Sequence, residues 1–430
     1  MDAASQKPPG ASERDHFIPA RKSDIVHALT MQGALGSAKE REQFGQVCRL
    51  LGAVYHYQYF DQLDRMRDDY FFFNPEHDGH ARFDRATVER AYKDMIAALT
   101  QVLHGANFVE VHHDEIDRAH REDAIIRVNL HVSLDDYREI RFFRRGHSRE
   151  KLEISEWYGW RKREIEADVY DDVVLMVAMK NADEFAAGTG QKKKKRVSKV
   201  RPGAVLLKYF RHIPSADLTA LFPDVRVVMS LKDKLWLGVP AVLGGIPILL
   251  KVASTVTVVF LVAGFYLGVS SAVRDDELTA ALAGVSGLVA LGGFGFRQWV
   301  KFQRQSLLYQ KQLADNIYFR NVNNNAGIFD YLIGAAEDQD CKEAFLAYHF
   351  LLTPGDGPTE AALDERIERW LKHSFGADVD FECDDAVAKL EKLGLLRRDG
   401  ERLSVLPLAD TLVRLDQAWD NFFPYAAERR

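Results

Sequence analysis

Through the N-terminal part of the chain, apolar positions recur at spacings of three and four, a period that predicts helices. "SDIVHALTMQG" predicts a short helix with Ser23 as N-cap and Gly33 as its stop. Residues 38 to 72 predict one long helix, with "VCRLLGAVYHYQYFDQL" supplying its apolar face. In "DRATVERAYKDMIAALTQVL", Val88, Tyr92, Ile96 and Leu99 form the stripe of another amphipathic helix. The period then shortens to two. "NFVEVHH", "AIIRVNLHV", "EIRFFRRG", "KLEISEWYG" and "DVVLMVAMK" predict strands separated by polar turns. Residues 21–230 therefore predict an α+β domain with a meander-like antiparallel sheet.

A long apolar block follows. From Leu235 to Phe296 the only charged residues are Lys251, Arg274, Asp275, Asp276 and Glu277. They leave three uncharged runs, 235–250, 252–273 and 278–296. A membrane-spanning helix needs about 20 apolar residues. The last two runs meet that length, and neither has the polar stripe of a soluble helix. They predict a two-span transmembrane hairpin within a membrane region at 231–300. Pro240 and Pro247 make 235–250 an interfacial or partly re-entrant segment. Trp236, Phe294, Phe296 and Trp299 resemble an interfacial aromatic belt. Gly264 and Gly268, Ala280 and Gly284, and Ala283 and Gly287 have the spacing of close helix packing. Arg226, Lys232 and Lys234 precede the block, and Arg297, Lys301, Arg304 and Lys311 follow it. Positive flanks favour the cytoplasmic side. The expectation is a multi-pass protein with both termini cytoplasmic, in the inner membrane if bacterial.

After the block, residues 301–336 predict juxtamembrane helices, with Phe302, Tyr309, Leu313 and Ile317 on one stripe. "NVNNNAG" breaks the pattern. Asn323, Asn324 and Asn325 read as capping residues, with a polar binding hub as the rival. Residues 337–430 predict a winged-helix-like domain. Its first helix covers "CKEAFLAYHFLL", the second carries Leu363, Ile367, Leu371 and Phe375, and a hairpin turned at Asp399 and Gly400 follows the third. The third helix region has Glu382, Asp384, Asp385 and Glu391 against Lys389 and Lys392. A DNA-reading helix needs the opposite balance, so protein interaction is the better reading.

Composition narrows the picture. The chain has 430 residues, 47% of them hydrophobic, and a net charge of -6. It can bury a core, and it is not basic enough for a general nucleic-acid binder. Mean hydropathy is -0.24, so any membrane part is a minority of the chain. Cys48, Cys341 and Cys383 are far apart and suggest neither a disulfide framework nor a zinc site. Residues 1–20 lack an apolar core for a secretory signal and read as a disordered tail.

Two clusters hold metal-capable side chains: Glu76, His77, Asp78 and His80, and His112, His113, Asp114, Glu115, Asp117 and His120. Neither has a known ligand spacing, and both read as solvated loops. No catalytic, cofactor or metal residue is predicted. The basic loop 188–201 holds Lys192, Lys193, Lys194, Lys195 and Arg196. It reads as a mobile loop, with contact to anionic lipids as the sharper alternative.

Three stretches carry a resemblance: "LLKYFRHIPSADLTALFPDVRVVMSLKDKLWLGVPAVLGGIPILLK", "YQKQLADNIYFRNVNNNAGIFDYLIGAAEDQDCKEAFLAYHFLL" and "DFECDDAVAKLEKLGLL". They resemble the uncharacterised membrane proteins that include transmembrane protein 143. That family has no established activity, so the resemblance implies a membrane location and no catalytic residue. The expected role is a membrane-anchored interaction or scaffold module, partnered by the bilayer and by a protein or a second copy. The alternative is a membrane-surface enzyme or oligomeric transporter. Its site would lie in a juxtamembrane collar holding Arg211, Asp217, Asp233, Asp315 and Asn316.

Overall fold

The computed structural model describes residues 14–31, 35–77, 83–112, 129–131, 136–156, 161–188, 200–223, 226–228, 318–352 and 357–423, with short pieces between 260 and 311. The chain divides into two compact units. The first comprises residues 1–123, 134–218 and 320–430, and the second 124–133 and 219–319.

The first unit opens with α1 (Lys22–Met31) and the long α2 (Ala38–Phe71). A reciprocal capping box fixes the start of α2. The Ser37 hydroxyl accepts from the Glu40 amide, and the Glu40 carboxylate accepts from the Ser37 amide. Asp84 caps α3 (Arg85–Gly105) with one carboxylate, which accepts from both the amide and the hydroxyl of Thr87.

Strands β1 (Val109–Val111), β3 (Tyr137–Glu156), β4 (Arg161–Met179), β5 (Val205–Pro214) and β7 (Asn321–Asn324) form one antiparallel sheet in the order β1-β3-β4-β5-β7. The polar stretch "GHSR", which separates two predicted strands, is absorbed into the single strand β3. The short helix α4 (Ala182–Gly188) follows β4. Beyond the register of β1 and β5, residues 149–156 and 161–168 continue as a two-stranded ribbon.

The ribbon leaves the sheet next to Gly146, whose φ of 69° is left-handed. A Cβ built there would lie 2.2 Å from Asp171 Oδ2 and 2.7 Å from Asp171 Cβ. Gly146→Ala should therefore lower stability by about 1–3 kcal/mol. Chemical denaturation measures it, and an unchanged midpoint would show that the backbone here has room for a side chain.

The C-terminal part contains α5 (Ile328–Leu351), α6 (Glu360–Phe375), α7 (Cys383–Lys392), the hairpin β8 (Leu396–Asp399) and β9 (Arg402–Val405), and α8 (Leu408–Asp420). Gly400 turns the hairpin with a φ of 60°. A boundary at 337 falls inside α5. That helix runs through two cores. Its first half packs with α3 and the sheet through Ile328, Phe329 and Leu332. Its second half packs with α1, α2, α6 and α7 through Cys341, Phe345 and Tyr348. Every residue from Gln339 to Leu351 is buried, so each polar group there needs a partner inside the protein.

Residues 14–18, expected in a disordered tail, are instead an anchor. Ile18 is fully buried, its amide donates to Gln339 Oε1 (3.1 Å), and its carbonyl accepts from Lys342 Nζ (2.9 Å). Arg14 pairs with Glu368 at 2.7 Å.

In the second unit, β2 (Asn129–His131) pairs antiparallel with β6 (Arg226–Val228). The apolar block does not supply the two-span membrane hairpin expected of it. Among the described residues, no helix is long and apolar enough to cross a membrane. Apolar length is only half of what a helical span requires, because its backbone polar groups must also be paired within the protein along that length.

The run 252–273 is interrupted from within. The helical residues 263–265 close at Gly268, which has a φ of 77° and donates to the Phe265 carbonyl. A left-handed glycine is a helix stop. The two-span fold, the multi-pass location and the cytoplasmic placement of both termini are therefore set aside. Segment 235–250 lies outside the described residues. Phe260, Leu267, Val289 and Trp299 are exposed.

Candidate functional site

The helical half of the first unit holds an open cavity of about 780 Å³. Tyr55, Gln58, Tyr59 and Gln62 line it from α2, Gln101 and His104 from α3, Asp340 from α5, and Asp385 and Lys389 from α7. The helical period puts these residues on one wall. On α2 the buried stripe Phe44, Val47, Leu51, Val54, Tyr55 resumes only at Met66, and the polar positions between border the cavity. α7 buries Cys383, Ala386, Val387 and Leu390 and turns its charged residues to the other side.

The inner wall is an ionic cluster. Lys389 Nζ lies 2.5 Å from Asp340 Oδ1, 2.6 Å from Glu343 Oε2 and 2.6 Å from Asp385 Oδ2. The Tyr59 hydroxyl donates to Asp340 Oδ2 at 2.7 Å. Asn107 Nδ2 donates to Glu343 Oε1 at 3.1 Å and to the His16 carbonyl at 2.9 Å. Asn107 reaches both from a left-handed backbone, with a φ of 59°. Side-chain exposure runs from 2% at Glu343 to 46% at Asp385, so the cluster grades from core to surface.

Charge in this wall is tightly constrained. Burial pushes the Glu343 carboxyl up to about 7, against the pull of Lys389. Burial also raises Asp340. The Lys389 ammonium is itself penalised by burial, but Glu343, Asp340 and Asp385 outweigh that and hold it well above the ordinary amine range. Burial drives the Tyr55 and Tyr59 phenols upward, so both stay protonated.

One oxygen each from Asp340, Glu343 and Asp385 lies within 4.8 Å of the others, a donor set that suits a hard divalent cation. Lys389 already contacts all three, so the trio could bind a metal only by displacing that ammonium.

The Tyr55 hydroxyl is different. Tyr55 is 4% exposed, and its hydroxyl has no hydrogen-bond partner among the described residues.

Of the collar, basic-loop and metal-capable residues singled out by sequence, none that the structure describes lines this cavity. Arg211 is on β5 and its Nε is 3.3 Å from Asp172 Oδ1. Asp217 is in a 3-10 turn, Ser215–Leu221. Asp233, Asp315, Asn316 and Lys192 to Arg196 lie outside the described residues. Of the two metal-capable clusters, Glu76 accepts from Asn325 and His77 stacks on Phe71. His112 is exposed, and Asp78, His80 and 113–120 lie outside the described residues.

Asn324 does occupy an N-cap position, but its side chain makes no capping bond. Asn323 Nδ2 instead donates to the Gly327 carbonyl. The strands flanking the apolar block are joined, Tyr209 opposite Asn323 on β5 and β7. The Arg211 amide donates to the Arg320 carbonyl, and the Arg320 guanidinium to the His212 carbonyl.

Asp340, Glu343, Tyr55 and Tyr59 were missed by sequence reasoning. For Asp340 and Glu343 the signal was present in "EDQDCKEAFLAYHFLL", where several charges sit in a helix that is otherwise apolar on all sides.

A sequence family described as a protein of unknown function (DUF3754) matches residues 170–327. The match begins in β4 and ends just before α5, so the residues lining the cavity fall outside it. No solved structure matches the chain.

Proposed function

We propose that the chain is a binding and interaction module whose helical body takes a small ligand in the Lys389 cavity. Tyr55 carries this reading. A phenol removed from water without a partner costs about 1–3 kcal/mol, and such a cost is expected where the group has a use. The surroundings offer many convergent polar groups, with Val102, Ala388 and Leu393 as the apolar part of the lining, so a ligand there would be held mainly by polar contacts.

Catalysis is the less favoured use of the same cavity. Lys389 is held as an ammonium and cannot act as an amine nucleophile. Burial raises the thiols of Cys341 and Cys383 to about 12 and that of Cys48 further, so none is a thiolate at neutral pH.

Ala388 lines the cavity and is exposed, which makes it the position from which to close it. In a thermal-shift screen of small molecules, hits on the wild-type protein should disappear in Ala388→Trp while its unliganded melting temperature stays close to wild type. Hits that persist in that variant, or no hit on the wild type, would reject the cavity as the working site.

A further inference from the structure

Resting on that reading, we infer that the cavity takes an organic amine, a ligand carrying one or more alkylammonium groups on an aliphatic chain. Four lining carboxylates, Asp340, Glu382, Asp384 and Asp385, face two lining ammonium groups, Lys389 and Lys392. Such a wall attracts cations and repels phosphates and carboxylates.

The wall already holds one primary ammonium, that of Lys389, bound to three carboxylates. A metal ion would have to displace it, whereas a second ammonium would not. Asp384 is exposed, and Asp385 uses one oxygen on Lys389 while remaining 46% exposed. Glu382 is half-buried at the edge of the same wall, 3.9 Å from His16 Nδ1. These groups leave acceptor capacity for a ligand ammonium.

The Tyr55 hydroxyl is buried at this wall without a partner, and Tyr55 and Tyr59 both line the cavity, side chains of a type that attracts alkylammonium groups. Val102 and Leu393 line the cavity and suit the aliphatic chain.

The test is isothermal titration calorimetry on the full chain with spermidine, magnesium chloride and inorganic phosphate as separate probes. Spermidine should bind at one site. The double variant Glu382→Gln, Asp384→Asn should weaken it by about tenfold or more, and Tyr55→Phe should weaken it by a smaller factor. The control Asp416→Asn, Asp420→Asn removes two exposed charges from α8, and it should leave binding unchanged. Equal weakening by the control would reduce the effect to net charge and overturn the proposal. So would displacement of spermidine by magnesium at equal concentration. Phosphate binding that is lost in Ala388→Trp, without spermidine binding, would keep the cavity as a site and reject the amine. Absence of binding by every probe, together with no hit in the thermal-shift screen, would reject both.

Discussion

Lys389→Met should destabilise the protein by about 3–5 kcal/mol at neutral pH, the cost of removing one partner from a buried ion pair. The side chain is 15% exposed and serves three carboxylates at once. Methionine restores much of the volume but none of the charge. Asp385 can turn to water, but Glu343 is 2% exposed and Asp340 10%, so these two cannot.

Part of the loss is recoverable by protonation, and this gives the prediction its sign. Burial already raises Glu343 to about 7 from an ordinary value of 4.5. A carboxyl whose folded pKa is raised favours folding when protonated. Its contribution is complete below the unfolded value and is lost as pH rises through the folded one. In the wild type, Glu343 should therefore reduce stability between about pH 4.5 and 7.

Without Lys389 the folded pKa rises further, and the penalty continues to grow above pH 7. Guanidinium unfolding at pH 6 and at pH 9 should show the larger deficit at pH 9. Adding Glu343→Gln to Lys389→Met should recover most of it, because the amide keeps the contact to Asn107 without the charge. A single variant within about 1 kcal/mol of wild type at pH 9 would mean that water reaches the carboxylates and that the cluster is not buried.

The long periodic helices were legible in the sequence because their stripes are long: of the stripe Val88, Tyr92, Ile96 and Leu99 on α3, Tyr92 and Leu99 are buried and Val88 and Ile96 half-buried, beside Ala91, Met95, Val102 and Leu103. The continuity of β3 was not. "GHSR" looks like a turn, but Gly146 takes a left-handed conformation and the strand resumes at His147, paired with Tyr170. The apolar block was misread because hydropathy counts side chains and is blind to backbone continuity. Gly268 looks the same in a span as at a helix stop.

The cavity was hidden for a different reason. Tyr55 and Lys389 are more than three hundred positions apart, and each looks ordinary in its own helix. Tyr55 reads as a core residue and Lys389 as one charge on an acidic amphipathic helix. Only the burial of α5 turns Asp340 and Glu343 from surface charges into groups that require a cation.

Asp172→Ala should cost about as much as the loss of Lys389, roughly 3–5 kcal/mol, for the same physical reason, the removal of one partner from a buried ion pair. Asp172 on β4 stands opposite Arg145 on β3 and Arg211 on β5. Its Oδ2 accepts from Arg145 at 3.0 Å (Nε) and 2.5 Å (Nη2). Arg145 is 7% exposed and Asp172 8%. The guanidinium lies 4.5 Å from the ring centroid of Phe17 and 4.7 Å from that of Phe108, and it donates to the Ala106 carbonyl. It is thus enclosed and oriented by groups that cannot neutralise it.

Alanine would leave that charge inside without a counter-ion. The Arg211 side chain is 60% exposed and already solvated, so Arg211→Ala should cost under about 1 kcal/mol. Replacing both buried partners, as Arg145→Met with Asp172→Leu, removes the stranded charge as well as the pair. A buried ion pair exchanged for apolar side chains of similar volume is often neutral in stability. The double variant should therefore be more stable than Asp172→Ala alone, although it lacks more of the native contacts. Denaturant unfolding of the four proteins decides between two roles. Recovery in the double variant would show that the pair contributes mainly to specificity, by fixing which residues of β3, β4 and β5 stand opposite one another. A double variant as unstable as the single one would show that the pair is net stabilising and that the surrounding aromatic residues cannot close over its absence.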